Sequence, residues 1–131
     1  MTVAVAHIMS TKVFFAALDH TVDHVRELMA SKHIHALPVV GKNQKIMGIV
    51  TTADVARRIE DDTPVRHVMS DNVVTVGATD SVSKAAQLMR ERRIHHLVVV
   101  DGSKAVGIVS SYDLLGLVEE KMSWDLPSRR L

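Results

Sequence analysis

The feature that most constrains this sequence is an internal repeat, because its second half restates the first at an offset of 60 residues. The matched dipeptides, each with its later copy, are Met9-Ser10 and Met69-Ser70, Leu28-Met29 and Leu88-Met89, Ile34-His35 and Ile94-His95, and Val39-Val40 and Val99-Val100. Sequence repeated at a fixed period indicates one supersecondary unit used twice. A single copy of this length buries little apolar surface alone, so the two copies are expected to pack together.

Within each repeat the apolar spacing predicts strand–helix–strand–strand–helix. The predicted strands are Val13–Ala16, Leu37–Val40, Ile46–Val50, Val73–Val76, Leu97–Val100 and Ala105–Val109, and the predicted helices run from Thr21 to Lys32, Thr52 to Ile59, Ser81 to Arg92 and Ser111 to Met122. Pro38 suits the start or edge of a strand, and Asp101-Gly102 predicts a hairpin. The expected fold class is α/β (α+β), with two β-α-β-β-α repeats (residues 1–62 and 63–122) packed through their sheets about a pseudo-two-fold axis. Residues 123–131 are expected to form a C-terminal tail.

Two short stretches carry the candidate chemistry, Gly48 to Asp54 and Gly107 to Asp113. Each is a strand that ends at a hydroxyl residue, Thr51 or Ser110, with an aspartate three positions later. A helix that begins there leaves unpaired N–H groups that favour a phosphate, and the aspartate can accept hydrogen bonds from sugar hydroxyls. The stretches therefore suggest a ribonucleotide site, present twice. The alternative is that each hydroxyl and aspartate only form a capping box.

Composition excludes several other classes of function. The 131 residues carry a net charge of +1, no cysteine and only 3% aromatic residues. We therefore expect neither a positive electrostatic field that would attract nucleic acid nor aromatic side chains on which its bases would stack. No apolar run is long enough for a membrane span, and no export signal is visible, so a cytoplasmic location is predicted. Eight histidines invite a metal site, but no metal-ligand spacing occurs and none is predicted.

The order of these motifs resembles the cystathionine-β-synthase (CBS) domain pair. The resemblance is carried by a Met-Ser near each repeat start, then I-H-A-L-P-V-V or I-H-H-L-V-V-V, then G-I-V-T-T-A-D or G-I-V-S-S-Y-D, and it spans about residues 3 to 121. It implies the β-α-β-β-α unit, a disk-like homodimer, and sites for AMP, ADP or ATP, with NAD or S-adenosylmethionine as further ligands and no required cofactor. Such modules commonly regulate an attached enzyme, channel or transporter.

The same resemblance assigns roles to individual residues. The nucleotide-binding positions it implies are Thr51, Asp54, His35 and His20 in the first repeat and Ser110, Asp113, His95, His96 and Asp80 in the second, with Val5, Ile8, Val65 and Val68 as walls for adenine. The hydroxyls would meet phosphate and the aspartates would hold ribose. His35-Ala36 lacks the second donor that His95-His96 supplies, and Asp80 would oppose a polyphosphate, so the two sites need not bind equally.

The predicted function is a stand-alone sensor that binds an adenine nucleotide between its repeats and signals in trans to an effector protein. No catalysis is expected, because neither a nucleophile–base pair nor a P-loop occurs. The main alternative is a structural or oligomerisation module without a ligand, and the other is a small nucleotide-hydrolysing enzyme.

Overall fold

The computed structural model of the protein describes residues 2–125. Its strands are β1 (Ala16–Ala17), β2 (Ala36–Val40), β3 (Ile46–Thr51), β4 (Thr75–Gly77), β5 (His96–Asp101) and β6 (Lys104–Ser110). Its α-helices are α1 (Val22–Lys32), α2 (Thr52–Val55), α3 (Val82–Arg92) and α4 (Ser111–Asp125). Single turns of 3-10 helix lie at Val5–His7, Lys42–Gln44 and Val65–His67. The predicted strand–helix–strand–strand–helix order is confirmed in both repeats.

The strands form two three-stranded sheets of the same topology, ordered β1-β2-β3 and β4-β5-β6. In each sheet the first strand pairs parallel with the middle one, which pairs antiparallel with the third. The middle strand is therefore the most buried, and Leu37 and Leu97 are both fully buried in it. The Asp101-Gly102 hairpin is also confirmed, since Asp101 pairs with Lys104 and Gly102 has a φ of +64°.

By its contacts the chain divides into two packed units whose bounds differ from those of the sequence repeats. The first residues of each repeat belong to the unit that holds the rest of the other repeat. Val13–Val74 form one, here called the central unit, and the residues up to Lys12 with those from Thr75 onward form the other, the split unit. In the central unit Val65 lies in the core with Val22 and Val50. In the split unit Val5 is fully buried and donates its backbone N–H to the Asp80 carbonyl.

The same exchange covers the outer edge of each third strand. Ile49 of β3 exchanges backbone hydrogen bonds of 2.9 Å with Ser70, and Ile108 of β6 does so with Ser10 at 2.8 and 3.0 Å. The edge strands thereby gain a short backbone partner, which leaves less unpaired edge. Met9-Ser10 and Met69-Ser70 thus each cover the outer edge of a third strand, and we call them the edge-covering segments.

Several predicted boundaries are wrong. The first strand holds only Ala16–Ala17, α2 ends at Val55 rather than Ile59, and α4 continues to Asp125, past the predicted start of the tail. Residues 126–131 of that tail lie outside the described part. Pro38 is in the middle strand rather than at a start or edge. It is tolerated there because β1 pairs only with Val39 and Val40, and because the backbone of Ile49, opposite Pro38, bonds to Ser70.

Candidate functional site

In the central unit the predicted site lies where β3 turns into α2. The Oδ2 atom of Asp54 accepts hydrogen bonds from the Thr51 backbone N–H at 2.8 Å and from the Thr51 hydroxyl at 3.1 Å. Both residues are half-buried. The pair forms a capping box, so the structural alternative raised by the sequence is present at this corner.

The split unit repeats this corner where β6 turns into α4. Oδ2 of Asp113 accepts from the Ser110 N–H at 2.8 Å and from the Ser110 hydroxyl at 3.0 Å. The Asp113 N–H in turn donates to the Ser110 hydroxyl oxygen at 3.1 Å. We refer to Thr51–Asp54 and Ser110–Asp113 as the two corners.

The geometry of the corners limits what they can offer a ligand. Each hydroxyl already donates to its own aspartate, so it meets a phosphate as a donor only by giving up that bond. The first helical N–H groups are also taken, because Thr52 donates to the His35 carbonyl and Ser111 to the His95 carbonyl, both at 2.9 Å. The expectation of unpaired N–H groups is wrong at these two positions. In contrast, Oδ1 of each aspartate takes part in none of the hydrogen bonds found within residues 2–125.

The histidines that were assigned to phosphate flank these corners through the backbone. The His35 and His95 side chains are exposed, while His96 is half-buried. Nδ1 of His95 lies 3.3 Å from the Ser111 hydroxyl. Since Ser111 is the first residue of α4, this contact places the His95 imidazole beside the Ser110–Asp113 corner.

His20 and Asp80, at matching positions, have the same local role in their units. Nδ1 of His20 accepts from the Ala17 N–H at 3.0 Å, and Oδ2 of Asp80 accepts from the Gly77 N–H at 2.7 Å. Each side chain thereby closes the turn between the first strand and the first helix. The Gly77 hydrogen bond, with Lys84 at 3.3 Å, lowers the pKa of Asp80 below its usual 3.8.

The residues expected to wall adenine are divided by burial. Val5 and Val65 are fully buried in the cores of their units, whereas Ile8 and Val68 are half-buried. Of these four, only Ile8 and Val68 have side-chain surface to offer a ligand.

Sequence reasoning missed a groove of about 750 Å³ in the central unit, between the end of α1 and the start of α2. It is lined by Arg26, Met29, Ala30, His33, Ile34, His35, Thr52, Val55 and Ala56. The repeat contains a signal for this groove. Its offset is 60 residues up to Val40 and 59 residues beyond the following loop, so Ala30 and Ala56 correspond to the much larger Arg90 and Leu115.

Residues 2–125 contain neither a candidate metal centre nor a membrane-spanning helix. No three histidine or acidic side chains there stand close enough together to hold a metal ion. None of the helices in that range combines the length and apolar character that crossing a membrane requires.

Comparison with known proteins decides the family. The CBS domain matches at residues 5–61 and again at residues 65–120. The chain belongs to the CBS domain family. This CBS pair is 33% identical over 111 residues to the CBS domain-containing protein YhcV of Bacillus subtilis. The match covers 81% of this chain and 79% of YhcV. It is 39% identical over 99 residues to an uncharacterized protein of Methanocaldococcus jannaschii, but there it spans only 23% of the relative's length.

Solved structures agree with the fold. The crystal structure of the CBS domain pair of protein MJ0100, in complex with 5'-methylthioadenosine and S-adenosyl-L-methionine, has a TM-score of 0.86 and 27% identity to this chain. The match covers 92% of this CBS pair and 99% of that chain. The mixed α+β architecture with two three-stranded sheets is therefore that of CBS domain pairs.

Proposed function

We propose that this CBS pair is a sensor that binds an adenosine-containing ligand at its corners. The observation that carries the proposal is the state of the two aspartates. Oδ2 of Asp54 and of Asp113 is fixed by the local N–H and hydroxyl, which holds the carboxylate in one orientation. Oδ1 then remains as a pre-oriented acceptor, and a carboxylate acceptor suits the paired hydroxyl donors of a ribose.

The ligand class is the adenosyl group itself, as in AMP, ADP, ATP, NAD or S-adenosylmethionine. The corners contribute one carboxylate acceptor each but few free phosphate donors, so the ribose contact is the shared element. MJ0100, a relative of the same fold, was crystallised with two ligands that contain adenosine without a phosphate. In the split unit, His95 beside Ser111 is the natural donor to any phosphate the ligand carries. We propose His96 as a second donor there, and His35 and His20 as the donors in the central unit. The Thr51 hydroxyl can donate to a phosphate only by giving up its bond to Asp54.

The output is proposed to pass to another protein. A ligand that binds one packing of the module more tightly than another shifts the population toward it, and a partner that prefers that packing reads the change. A second copy of the chain is one expected partner. Tyr112, Leu115 and Val118 leave 82%, 64% and 54% of their surface exposed along one helix, α4, and such patches mark protein contacts. No catalytic activity of its own is proposed.

Calorimetry with AMP, ADP, ATP, NAD and S-adenosylmethionine tests the proposal. At least one ligand is expected to bind, and Asp113→Ala is expected to weaken binding roughly 10- to 100-fold, or about 1.5–3 kcal/mol, through the lost ribose contact. Heat from none of the five would favour the structural or oligomerisation module instead.

A matched variant separates binding from folding. Asp113→Asn keeps an oxygen that can accept from the Ser110 N–H but removes the charge. It is expected to unfold near the parent temperature and still bind more weakly. If both variants bind like the parent, Asp113 does not hold the ribose.

A further inference from the structure

In the central unit the turn between β1 and α1 is closed by an imidazole, and we call residues 17–20 the His20 turn. Nδ1 of His20 accepts a hydrogen bond of 3.0 Å from the Ala17 N–H. A neutral imidazole has one acceptor nitrogen and one N–H, so the His20 proton lies on Nε2. When Nδ1 also takes a proton, it becomes a donor and faces the Ala17 N–H with no lone pair to offer. The bond that closes this turn therefore exists only while His20 is neutral.

A second histidine lies against the first. The ring centroids of His20 and His24 are 4.4 Å apart, with an interplanar angle of 50°. Both side chains are exposed, and His24 belongs to the first turn of α1, at the positive end of the helix dipole. Two protonated rings at this distance repel each other, so acid drives the rings apart as it breaks the Ala17 bond.

The split unit closes the matching turn with different chemistry. Asp80 stands at the position of His20, and Lys84 at that of His24. Oδ2 of Asp80 accepts from the Gly77 N–H at 2.7 Å and from Lys84 Nζ at 3.3 Å. Imidazole is the side chain whose ordinary pKa places its change of charge between pH 5 and 8. The turn of the split unit is therefore built without such a group, and the turn of the central unit with two.

The His20 turn also anchors the segment that connects the two sequence repeats. The His20 carbonyl accepts from the Val65 N–H at 2.7 Å, and the Val22 N–H donates to the Thr63 carbonyl at 2.8 Å. Val65 is fully buried in the core of the central unit. A change at His20 thus acts directly on the backbone that holds residues 63–65.

No carboxylate in the described part of the chain forms a hydrogen bond or an ion pair with either imidazole. On the elements packed against the turn, Asp19 is paired with Arg66 and Asp61 with Arg26. The other titratable side chains on these elements are Asp23, Glu27, Asp62 and His67. None of these groups replaces the acceptor that the Ala17 N–H loses.

We propose that His20 and His24 make the His20 turn a pH-sensitive latch on residues 63–65. Neutral His20 closes the turn and holds this segment. Protonated His20 releases the Ala17 N–H, the two cationic rings separate, and the segment is held less firmly. The latch needs no ligand and does not rest on the sensor function. The phosphate donor proposed for His20 is its Nε2–H, the other ring nitrogen.

A pH titration of the ligand-free full chain, followed by the ¹⁵N resonances of its histidine rings and backbone amides, tests the latch. At about pH 8 the parent His20 is expected to be the Nε2–H tautomer, and between about pH 8 and pH 5 the Ala17 amide should shift with its ring. Val65 amide exchange, corrected for its intrinsic pH dependence, should rise roughly 2- to 10-fold at the acid end, as the loss of one hydrogen bond implies. The Gly77 amide, whose acceptor is Asp80, is the internal control and should not shift.

The split unit supplies the matched variant. His20→Asp combined with His24→Lys copies its pair and is expected to abolish the pH dependence at Ala17 and Val65. Retention of the parent's pH dependence in this variant would overturn the proposal. So would an Nδ1–H tautomer in the parent at about pH 8, or a Gly77 shift as large as that of Ala17. The tautomer and the Gly77 comparison are measured on the parent, so they decide the matter even where the variant does not fold. Failure of every adenosine-containing ligand to bind bears on the sensor function alone.

Discussion

At Gly48 and Gly107, the backbone of the edge-covering segment lies where a side chain would stand. A Cβ built on Gly48 would be 2.5 Å from Sδ of Met69 and 2.7 Å from the Ser70 carbonyl oxygen. On Gly107 the corresponding distances to Met9 and Ser10 are 2.6 and 2.9 Å. A methionine tip can move, but a paired backbone carbonyl cannot do so without breaking the bridge. The glycine that opens each Gly-to-Asp stretch is thus required by packing, whatever the site binds.

Gly48→Ala and Gly107→Ala are each expected to lower the free energy of unfolding by about 1–3 kcal/mol, because the added methyl overpacks the bridge. Urea unfolding measures this. Gly116→Ala is the control, since no described atom beyond its chain neighbours and the backbone of its own helix lies within 4 Å of a Cβ built there. It should leave stability unchanged or raise it by up to ~1 kcal/mol. Equal effects at the three glycines would contradict the packing argument.

Asp80 links the stability of the split unit to pH. Because its pKa is lowered in the folded chain, the carboxylate stabilises the fold at pH values above 3.8, and that contribution is lost as the pH falls through the folded-state pKa. Asp80→Asn keeps an oxygen for the Gly77 N–H but carries no charge. The variant should be less stable than the parent at pH 7, with a difference that shrinks below pH 3.8. A difference in unfolding free energy that stays constant from pH 7 to pH 2.5 would remove the assigned role.

The end of α2 shows how far local sequence reaches at the level of an element. Residues 55–59 (V-A-R-R-I) have ordinary helix propensity, and the sequence predicts a helix to Ile59. In the structure, Nε of Arg26 donates to the Val55 carbonyl at 2.9 Å, and Nη2 donates to the Arg57 carbonyl at 3.1 Å. Because Arg26 takes carbonyls that a continuing helix would use, α2 stops. No residue near position 55 indicates, from the sequence alone, that the Arg26 side chain of α1 bonds to these carbonyls.

Arg26→Ala is expected to destabilise the central unit by about 1.5–3 kcal/mol, since two carbonyls lose a charged donor. The ion pair with Asp61, whose side chain is 77% exposed, adds little. Amide hydrogen exchange should show lost protection around Ala56, with the split unit unchanged. Arg58→Ala, at an exposed arginine with no described hydrogen bond or ion pair, is the control and should exchange like the parent.

The residue types at the candidate site could be predicted from the sequence, but the hydrogen bonds of their individual atoms could not. Repetition of the hydroxyl and the aspartate placed both corners correctly at a strand-to-helix junction. The sequence could not tell which atoms the cap consumes, because the Oδ2 bonds and the His35 and His95 carbonyl contacts depend on exact strand register. The groove could not be predicted for a similar reason. Two alanines indicate an open space only once α1 and α2 are known to face each other.

At the level of the whole molecule, the repeat in the sequence and the unit in space differ by one segment. Met69-Ser70, near the start of the second repeat, pairs with β3 of the central unit, and Met9-Ser10, near the start of the first repeat, pairs with β6 of the split unit. A periodic pattern has no natural starting point, so sequence comparison alone cannot say with which neighbour a short segment packs. Only the edge pairing decides it.

The exchange predicts how the chain responds to being cut. A fragment of residues 13–74 contains Val65, Met69 and Ser70, and so keeps a core side chain and the edge cover of β3. A fragment of residues 1–62, of equal length, lacks all three and leaves that edge open. The first is expected to unfold more cooperatively in urea and to resist proteolysis longer. Adding the peptide 63–74 should partly restore the second fragment. If residues 1–62 prove the more stable fragment, then each sequence repeat is the folding unit and the exchanged segments are incidental to stability.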